Sequence, residues 1–112
     1  MFPRNLRLRR KRDIAFVLRR GRIIRTPYFI LRVFATTMAH PRVTVVVSTA
    51  VAKKATVRNR VKRQIRHILM AENYLIKCGV DLMLSVKPPI LTASRDERRV
   101  AIHEALRRVR LV

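Results

Sequence analysis

The residues best suited to chemistry in this sequence are cations grouped on one segment, residues 53–70. Arg58 and Arg60 flank Asn59. Further cations follow within two helical turns: Lys62, Arg63 and Arg66. An arginine presents a planar fork of N–H donors that matches a phosphate group bidentately. Asparagine can hydrogen-bond sugar, phosphate or backbone groups and so fix how the arginines approach. This spacing therefore favours the binding of phosphate groups.

A helix must position these cations, because apolar residues recur through the segment at helical spacing. The apolar stripe consists of Val57, Val61, Ile65 and Ile68. Thr56 is predicted as the N-cap, and the helix is predicted to extend to about residue 73. Arginines in the first turn cost about 0.3–1 kcal/mol each, because the helix dipole disfavours positive charge there. A bound anion would offset this cost. The alternative is an ordinary solvated basic face.

The overall charge points to a polyanionic partner. Lys and Arg number 27 against 6 Asp and Glu, which gives a net charge of +21. Hydrophobic residues make up 49% of the chain, so we expect a folded protein rather than a disordered basic tail. No apolar run reaches the ~20 residues that span a bilayer, and the N-terminus lacks the apolar core of a signal peptide. A single cysteine, Cys78, fits a reducing cytosol. We expect a cytoplasmic protein with no membrane partner.

Catalytic constellations are missing from the sequence. The six acidic residues form no spaced pair suited to acid–base catalysis or to a catalytic metal. His40, His67 and His103 lie far apart, and Cys78 has no neighbour at metal-ligand spacing. With two glycines, the chain has no glycine-rich phosphate loop. We therefore expect no catalytic residue and no metal site in this chain.

Hydrophobic patterning predicts three helices and three or four strands. The first helix covers residues 11–20 and ends at Gly21, a residue well suited to a helix terminus. Strands are predicted at 28–35, 43–49 and 80–86, with a short optional strand at 23–25. Ser94 and Glu97 form a capping box that begins the last helix. The order α-(β)-β-β-α-β-α indicates a small α+β two-layer sandwich in one domain, residues 1–112, with residues 1–9 extended or mobile.

Side-chain type predicts how deeply each element is buried. Residues 43–49 are rich in β-branched residues and are predicted to form a central strand buried on both faces. Residues 80–86 alternate apolar and polar positions and are predicted to bury one face. Phe16 falls off the apolar stripe of the first helix. It either packs against the sheet or offers a surface on which a base stacks.

The pattern A-x-x-R-N-R-x-K-R-x-I-R resembles the signature of the bacterial ribonuclease P protein subunit. Its positions in this sequence are Ala55, Arg58, Asn59, Arg60, Lys62, Arg63, Ile65 and Arg66. Weaker matches to the family follow the same order along nearly the whole chain. They are Phe2-Pro3-Arg4, Arg19-Arg20-Gly21-Arg22, Thr26-Pro27, His40-Pro41-Arg42-Val43, Val80-Asp81-Leu82 and Val86-Lys87-Pro88.

The resemblance implies a protein cofactor of a catalytic RNA, which together with Mg²⁺ removes the 5′ leader from precursor tRNA. The protein would bind ribonuclease P RNA, one protein per RNA, and precursor tRNA. Mg²⁺ would be required by the RNA–protein holoenzyme rather than bound by this chain. The fold implied resembles domain 2 of ribosomal protein S5, with a left-handed βαβ crossover.

The resemblance also assigns residues to two RNA-binding surfaces. The residues facing the catalytic RNA would be Lys53, Lys54, Arg58, Asn59, Arg60, Lys62, Arg63 and Arg66. Lys53 and Lys54 would take over the phosphate contacts of a family lysine pair, whose place Thr49-Ala50 occupies here. A cleft between the first helix and the sheet would hold the single-stranded leader. Its residues would be Arg12, Ile14, Phe16, Leu18 and Arg32.

The candidate cleft departs from the family at three of these positions. Ile14 and Leu18 stand where the family often has phenylalanine, which weakens stacking on the leader. Arg32 stands where the family can have tyrosine, so contact there would be ionic.

Other protein classes stay open on the residues alone. A ribosomal or other structured-RNA protein would explain the charge and size, and would bind RNA without stimulating cleavage. A self-sufficient nuclease would need convergent acid, base or metal ligands that the sequence does not offer. A DNA-binding module is less favoured, because no helix-turn-helix or dimer pattern is evident.

Overall fold

The computed structural model describes residues 7–73 and 79–109. In chain order its elements are α1 (Lys11–Arg20), β1 (Arg22–Arg25), β2 (Phe29–Ala35), β3 (Arg42–Val46), α2 (Ala55–Asn73), β4 (Val80–Val86), a 3₁₀ helix (Pro88–Thr92) and α3 (Arg95–Arg108). The predicted α+β class and element order are confirmed, including the short strand before β2. The predictions for residues 1–6 and for Cys78 lie outside the described residues.

The four strands form one sheet in the order β1-β2-β4-β3. β2 runs antiparallel to both β1 and β4, whereas β3 and β4 are parallel neighbours. Because α2 connects β3 to β4, these three elements form the βαβ unit that the resemblance implies. The left hand of its crossover stays a prediction.

The sheet order reverses the predicted burial of β3 and β4. The prediction that residues 43–49 form a central strand buried on both faces is wrong. β3 ends at Val46, lies at the edge of the sheet and buries alternate residues only. β4 lies in the centre, and the prediction that it buries one face is also wrong, since six of its seven residues are buried.

Two groups cover the second face of β4 and explain its burial. Met83 packs with Leu8 and Val17, which bring the N-terminal segment and α1 onto this face. Asp81 is buried because the guanidinium of Arg42 pairs with its carboxylate. Neither contact is visible in the alternation of residues along β4, since both partners come from distant parts of the chain.

The larger hydrophobic core fills the space between the sheet and the pair of helices α2 and α3. Its fully buried members include Phe29, Leu31, Ile65, Leu82, Leu84, Ile102 and Leu106. The opposite face of the sheet carries α1 and a smaller cluster. The sheet therefore has one face closed by α2 and α3, and another on which α1 packs against β2 and β4.

Gly21 ends α1 as predicted, but for a different reason. Its backbone is extended, with φ −69°, and its N–H donates to the carbonyl of Val17. A Cβ at this position would lie 2.5 Å from that carbonyl oxygen. Glycine is therefore required because carbonyl oxygens of Val17 in α1 and Val33 in β2 lie close to this position, and not because of a left-handed backbone.

α2 begins two residues earlier than predicted, since an N-cap at Thr56 would make Val57 the first helical residue. The helix begins at Ala55, and the carbonyl of Lys54 accepts hydrogen bonds from the N–H groups of Val57 and Arg58, at 3.1 and 3.2 Å. Thr56 therefore lies in the first turn, and its prediction as N-cap is wrong. The capping box of α3 is confirmed, with both hydrogen bonds between Ser94 and Glu97 present.

Candidate nucleic-acid interface

The buried stripe of α2 fixes the direction in which its cations point. Val61, Ile65 and Ile68 are buried in the larger core, as predicted. The cations occupy the remaining faces of the helix, and the first turn contains no acidic residue. Asn59, Arg60 and Arg63 are exposed, whereas Arg58, Lys62 and Arg66 are half-buried.

The N-terminal segment adds an arginine to this face. Arg7 forms a bridge with Val43 at the edge of the sheet, and the N–H of Leu8 donates to the carbonyl of Val43 at 2.8 Å. Between this segment and α2 lies a cavity of about 450 Å³, which we call the Arg7 cavity. Its lining consists of Arg7, Asn59, Lys62, Arg63, Arg66, His67 and Met70.

Two arginines of the Arg7 cavity are held in an unfavourable environment. Burial, and then the positive charge of Arg7, lower the pKa of the Arg66 guanidinium from its ordinary value. Arg66 still remains charged at neutral pH, because the arginine guanidinium is not deprotonated in proteins. The Nε atom of Arg7 is buried and has no hydrogen-bond partner among the described residues. A phosphate group in this cavity would supply both the missing acceptor and the missing negative charge.

Part of the Arg58 guanidinium binds backbone carbonyls of the protein itself. Its Nη1 donates to the carbonyl of Ala52 at 3.0 Å and to that of Lys53 at 2.6 Å. These bonds fix the loop that leads into α2, which carries the exposed Lys53 and Lys54. Arg58 thus positions the two lysines beside the first turn of α2, and its Nε and Nη2 form no hydrogen bond within residues 7–73 and 79–109.

The residues assigned to the leader cleft separate into two groups. Phe16 stacks on Phe34 of β2, with ring centroids 6.1 Å apart and planes 9° apart, and the Arg19 guanidinium lies 5.5 Å from the Phe16 centroid. Phe16 therefore packs against the sheet, which is the first of the two roles predicted for it from the sequence. Ile14 packs against the smaller core cluster. Arg12 and Leu18 are exposed on α1.

Arg32 lies on the sheet face that α1 partly covers. It shares a cross-strand row with Ile23 of β1 and Met83 of β4. Its Nη1 lies 3.5 Å from the Ser85 hydroxyl, and its Nε is buried without a partner among the described residues. Ile23 and Val46 are exposed on the same face at its two edges. Sequence analysis missed this exposed apolar surface, because the faces of edge strands depend on register.

An ion network attaches α1 to the sheet. The Arg42 guanidinium donates to both carboxylate oxygens of Asp81, at 2.8 and 2.7 Å, and to Asp13 of α1 at 3.2 Å. The hydrogen bond with Asp81 is the largest cause that raises the pKa of Arg42. Because the three residues are far apart in sequence, no spacing signal could have revealed this network.

The described residues contain neither a membrane-spanning helix nor a cluster of metal-binding side chains. In residues 7–73 and 79–109, no helix is long and apolar enough to cross a membrane. Over these ranges, no group of three or more His, Cys, Asp or Glu side chains could hold a metal ion.

Comparison with known proteins identifies the family. The family model described as Ribonuclease P matches residues 2–110. The ribonuclease P protein component of Synechocystis sp. is 40% identical over 87 residues, which cover 77% of this chain and 70% of that protein. The ribonuclease P protein component of Rhodococcus jostii is 31% identical over 119 residues, which cover 100% of this chain and 94% of that protein.

Solved structures share the fold over nearly the whole chain. The RNase P protein of Staphylococcus aureus matches with a TM-score of 0.85 at 18% identity, covering 95% of this chain and 96% of that one. The RNase P protein of Thermotoga maritima matches with a TM-score of 0.81 at 25% identity, covering 91% and 96%. With the sequence match spanning residues 2–110, this chain belongs to the bacterial ribonuclease P protein family.

Proposed function

We propose that this chain binds the catalytic RNA of ribonuclease P through α2 and holds the 5′ leader of precursor tRNA against α1 and the sheet. The RNA, acting with Mg²⁺, would cut the leader and generate the mature 5′ end of the tRNA. The protein would lower the repulsion between the phosphates of two RNAs and so raise the affinity for substrate and for Mg²⁺. One protein would serve one RNA.

The observation that carries this proposal is the crowding of cations in the Arg7 cavity. Arg66 is partly desolvated beside Arg7, and no acidic side chain that the structure describes lines the cavity. Such an arrangement is unfavourable in the free protein, because each charge loses hydration and repels its neighbour. A phosphodiester that enters the cavity replaces the lost hydration with charge-assisted hydrogen bonds. RNA binding would therefore explain this cluster of cations, which is unfavourable for folding alone.

The second surface suits a single strand. Arg32 offers a guanidinium beside exposed aliphatic side chains, Ile23 and Val46, on a sheet face bounded by α1. A strand could place its backbone against the cation and its bases on the apolar groups. Phe16 would pack α1 against the sheet rather than stack on a base, because Phe34 and Arg19 contact its ring.

The carboxylates of the described residues do not fit a Mg²⁺ site. Mg²⁺ takes oxygen ligands at near-octahedral geometry, usually through one or two carboxylates. Asp13 and Asp81 already accept hydrogen bonds from Arg42, which would repel a cation. Asp96, Glu97 and Glu104 lie exposed on α3 and belong to no group of three described His, Cys, Asp or Glu side chains that could hold a metal ion. In the proposed function, the RNA would therefore bind the Mg²⁺.

The test is cleavage of precursor tRNA by the cognate catalytic RNA at low Mg²⁺, with and without this protein. We expect the protein to restore cleavage at Mg²⁺ concentrations at which the RNA alone is slow. Binding to the RNA without any stimulation would instead indicate a structural RNA-binding protein. Cleavage by the purified protein free of RNA would indicate a nuclease in its own right, and either result would refute the proposal.

A further inference from the structure

A second cationic cavity lies on the other flank of α2, between that helix and the start of α3. It has a volume of about 410 Å³, and we call it the α3 cavity. Its lining consists of Arg63, Gln64, His67, Ile68, Ala93, Arg95 and Arg98. Arg63 and His67 also line the Arg7 cavity, so these two side chains form a ridge between the two cavities.

Arg98 is fixed in place at the wall of the α3 cavity. Its Nε and Nη2 donate to the carbonyl of Ile90 at 3.2 and 2.7 Å, and its Nη1 donates to the Gln64 side chain. These bonds leave two of its five N–H donors without a partner among the described residues. Because its geometry is set on folding, Arg98 would lose little conformational entropy when it binds an anion.

Arg95 occupies a position that folding alone does not favour. It is the first residue of α3, where the helix dipole disfavours a positive charge. Its side chain is exposed and forms no hydrogen bond or ion pair with the described part of the chain. An anion in the α3 cavity would turn this unfavourable charge into a favourable contact.

The positive and the negative side chains at the start of α3 line different depressions of the surface. Arg95 and Arg98 line the α3 cavity, whereas Asp96 and Glu97 line a separate apolar depression beside Tyr28. The Tyr28 hydroxyl donates to the Glu97 carboxylate at 3.1 Å and holds it on that side. The α3 cavity thus keeps its positive charge although two acidic residues are adjacent in sequence.

We propose that the α3 cavity binds a backbone phosphate of the catalytic RNA, so that α3 extends the RNA interface beyond α2. The inference rests on the proposed function, because it takes the RNA on α2 to be the ribonuclease P RNA. The RNA backbone would pass from the Arg7 cavity over the ridge of Arg63 and His67 and reach Arg95. Arg95 and Arg63 would contact the phosphate, and Arg98 would orient it.

The test compares Arg95→Ala with Arg99→Ala in binding to the catalytic RNA over a range of salt concentrations. Both variants remove one exposed arginine from α3, but Arg99 lines neither cavity and lies 3.8 Å from Asp96. Arg95→Ala should lower the slope of log affinity against log salt by roughly 0.7–0.9, which is one phosphate contact. Over a fourfold rise in salt this is about a threefold smaller loss of affinity. Arg99→Ala should keep the wild-type slope.

Three outcomes separate this inference from the proposal beneath it. Equal slopes for Arg95→Ala and Arg99→Ala, with circular dichroism unchanged, would overturn the α3 site and leave the proposed function intact. A wild-type protein that binds the catalytic RNA no better than an unrelated RNA would refute the proposed function and this inference with it.

The double variant Arg63→Ala, Arg95→Ala should lose less RNA-binding free energy than the sum of the two single losses, because both arginines hold one phosphate. Strict additivity would contradict a shared site.

Discussion

Removal of Arg42 should cause a large loss of stability, because it breaks an ion pair whose carboxylate is buried. Asp81 is buried in the centre of the sheet, and two N–H groups of Arg42 bind its carboxylate at 2.7 and 2.8 Å. The Arg42→Ala variant would leave that carboxylate buried without a countercharge, and would also release Asp13 of α1. The loss therefore combines an unpaired buried charge with a weaker attachment of α1.

The magnitude follows from the burial of the pair. Removing one partner of a buried ion pair typically costs about 3–5 kcal/mol, against a total folding free energy of about 5–15 kcal/mol. For a domain of this size that corresponds to a fall in Tm of roughly 12–20 °C. The Asp81→Asn background should reduce the cost of Arg42→Ala clearly, because no buried carboxylate is then left unpaired.

The assay is urea unfolding followed by circular dichroism, with Arg99→Ala as the control. Arg99 pairs with Asp96 at 3.8 Å on the surface of α3, so its removal should change stability by less than about 1 kcal/mol. A loss below about 1 kcal/mol for Arg42→Ala would refute the reasoning. It would mean that Asp81 finds another partner or water when Arg42 is absent.

Three further predictions concern the N-terminal segment, α3 and the end of α1. Arg7→Met should leave the free energy of unfolding unchanged or raise it, since Arg7 and Arg66 repel each other, yet it should weaken RNA binding. Hydrogen bonds from Ser94, first its backbone and then its side chain, lower the pKa of Glu97. The stability that Glu97 contributes is therefore present above its unfolded pKa of about 4.3 and is lost as the pH falls through the folded pKa. Glu97→Gln should flatten the acid part of the stability–pH curve. Gly21→Ala should cost about 1–3 kcal/mol, because its Cβ would meet a carbonyl oxygen of α1 at 2.5 Å.

Each of these predictions has its own control and contrary result. For Arg7→Met, a large loss of stability with unchanged RNA affinity would mean that Arg7 is structural. For Glu97→Gln, the exposed Glu104→Gln change serves as control, and an identical acid limb in the wild type and the Glu97 variant would contradict the hydrogen-bond account. For Gly21→Ala, thermal unfolding at the wild-type temperature would show that α1 moves to accept the methyl group.

Local signals in the sequence predicted the helices well. The stripe of Val61, Ile65 and Ile68 placed α2, and the pairing of Ser94 with Glu97 placed the start of α3, because helical spacing and capping act within a few residues. The face of α2 that carries the cations followed from the same periodicity. These features need no knowledge of the rest of the fold.

Contacts between distant parts of the chain could not be predicted in this way. The edge position of β3 and the burial of β4 depend on which strands become neighbours, and β-branched residues suit either place. Arg7 joins the cations of α2 only because the N-terminal segment pairs with Val43. The network of Arg42 with Asp81 likewise has no sequence spacing that reveals it.

The central claim is that the cations of α2, and not the net charge alone, bind the catalytic RNA. The most direct measurement is the dissociation constant for that RNA, taken at several salt concentrations for two variants that each remove two charges. Arg60→Ala with Lys62→Ala alters α2, and Arg107→Ala with Arg108→Ala alters the last turn of α3. We predict that the α2 variant lowers the salt slope by roughly 1.4–1.8, as expected for two lost phosphate contacts, while the α3 variant keeps the wild-type slope. Equal losses in the two variants would contradict the account.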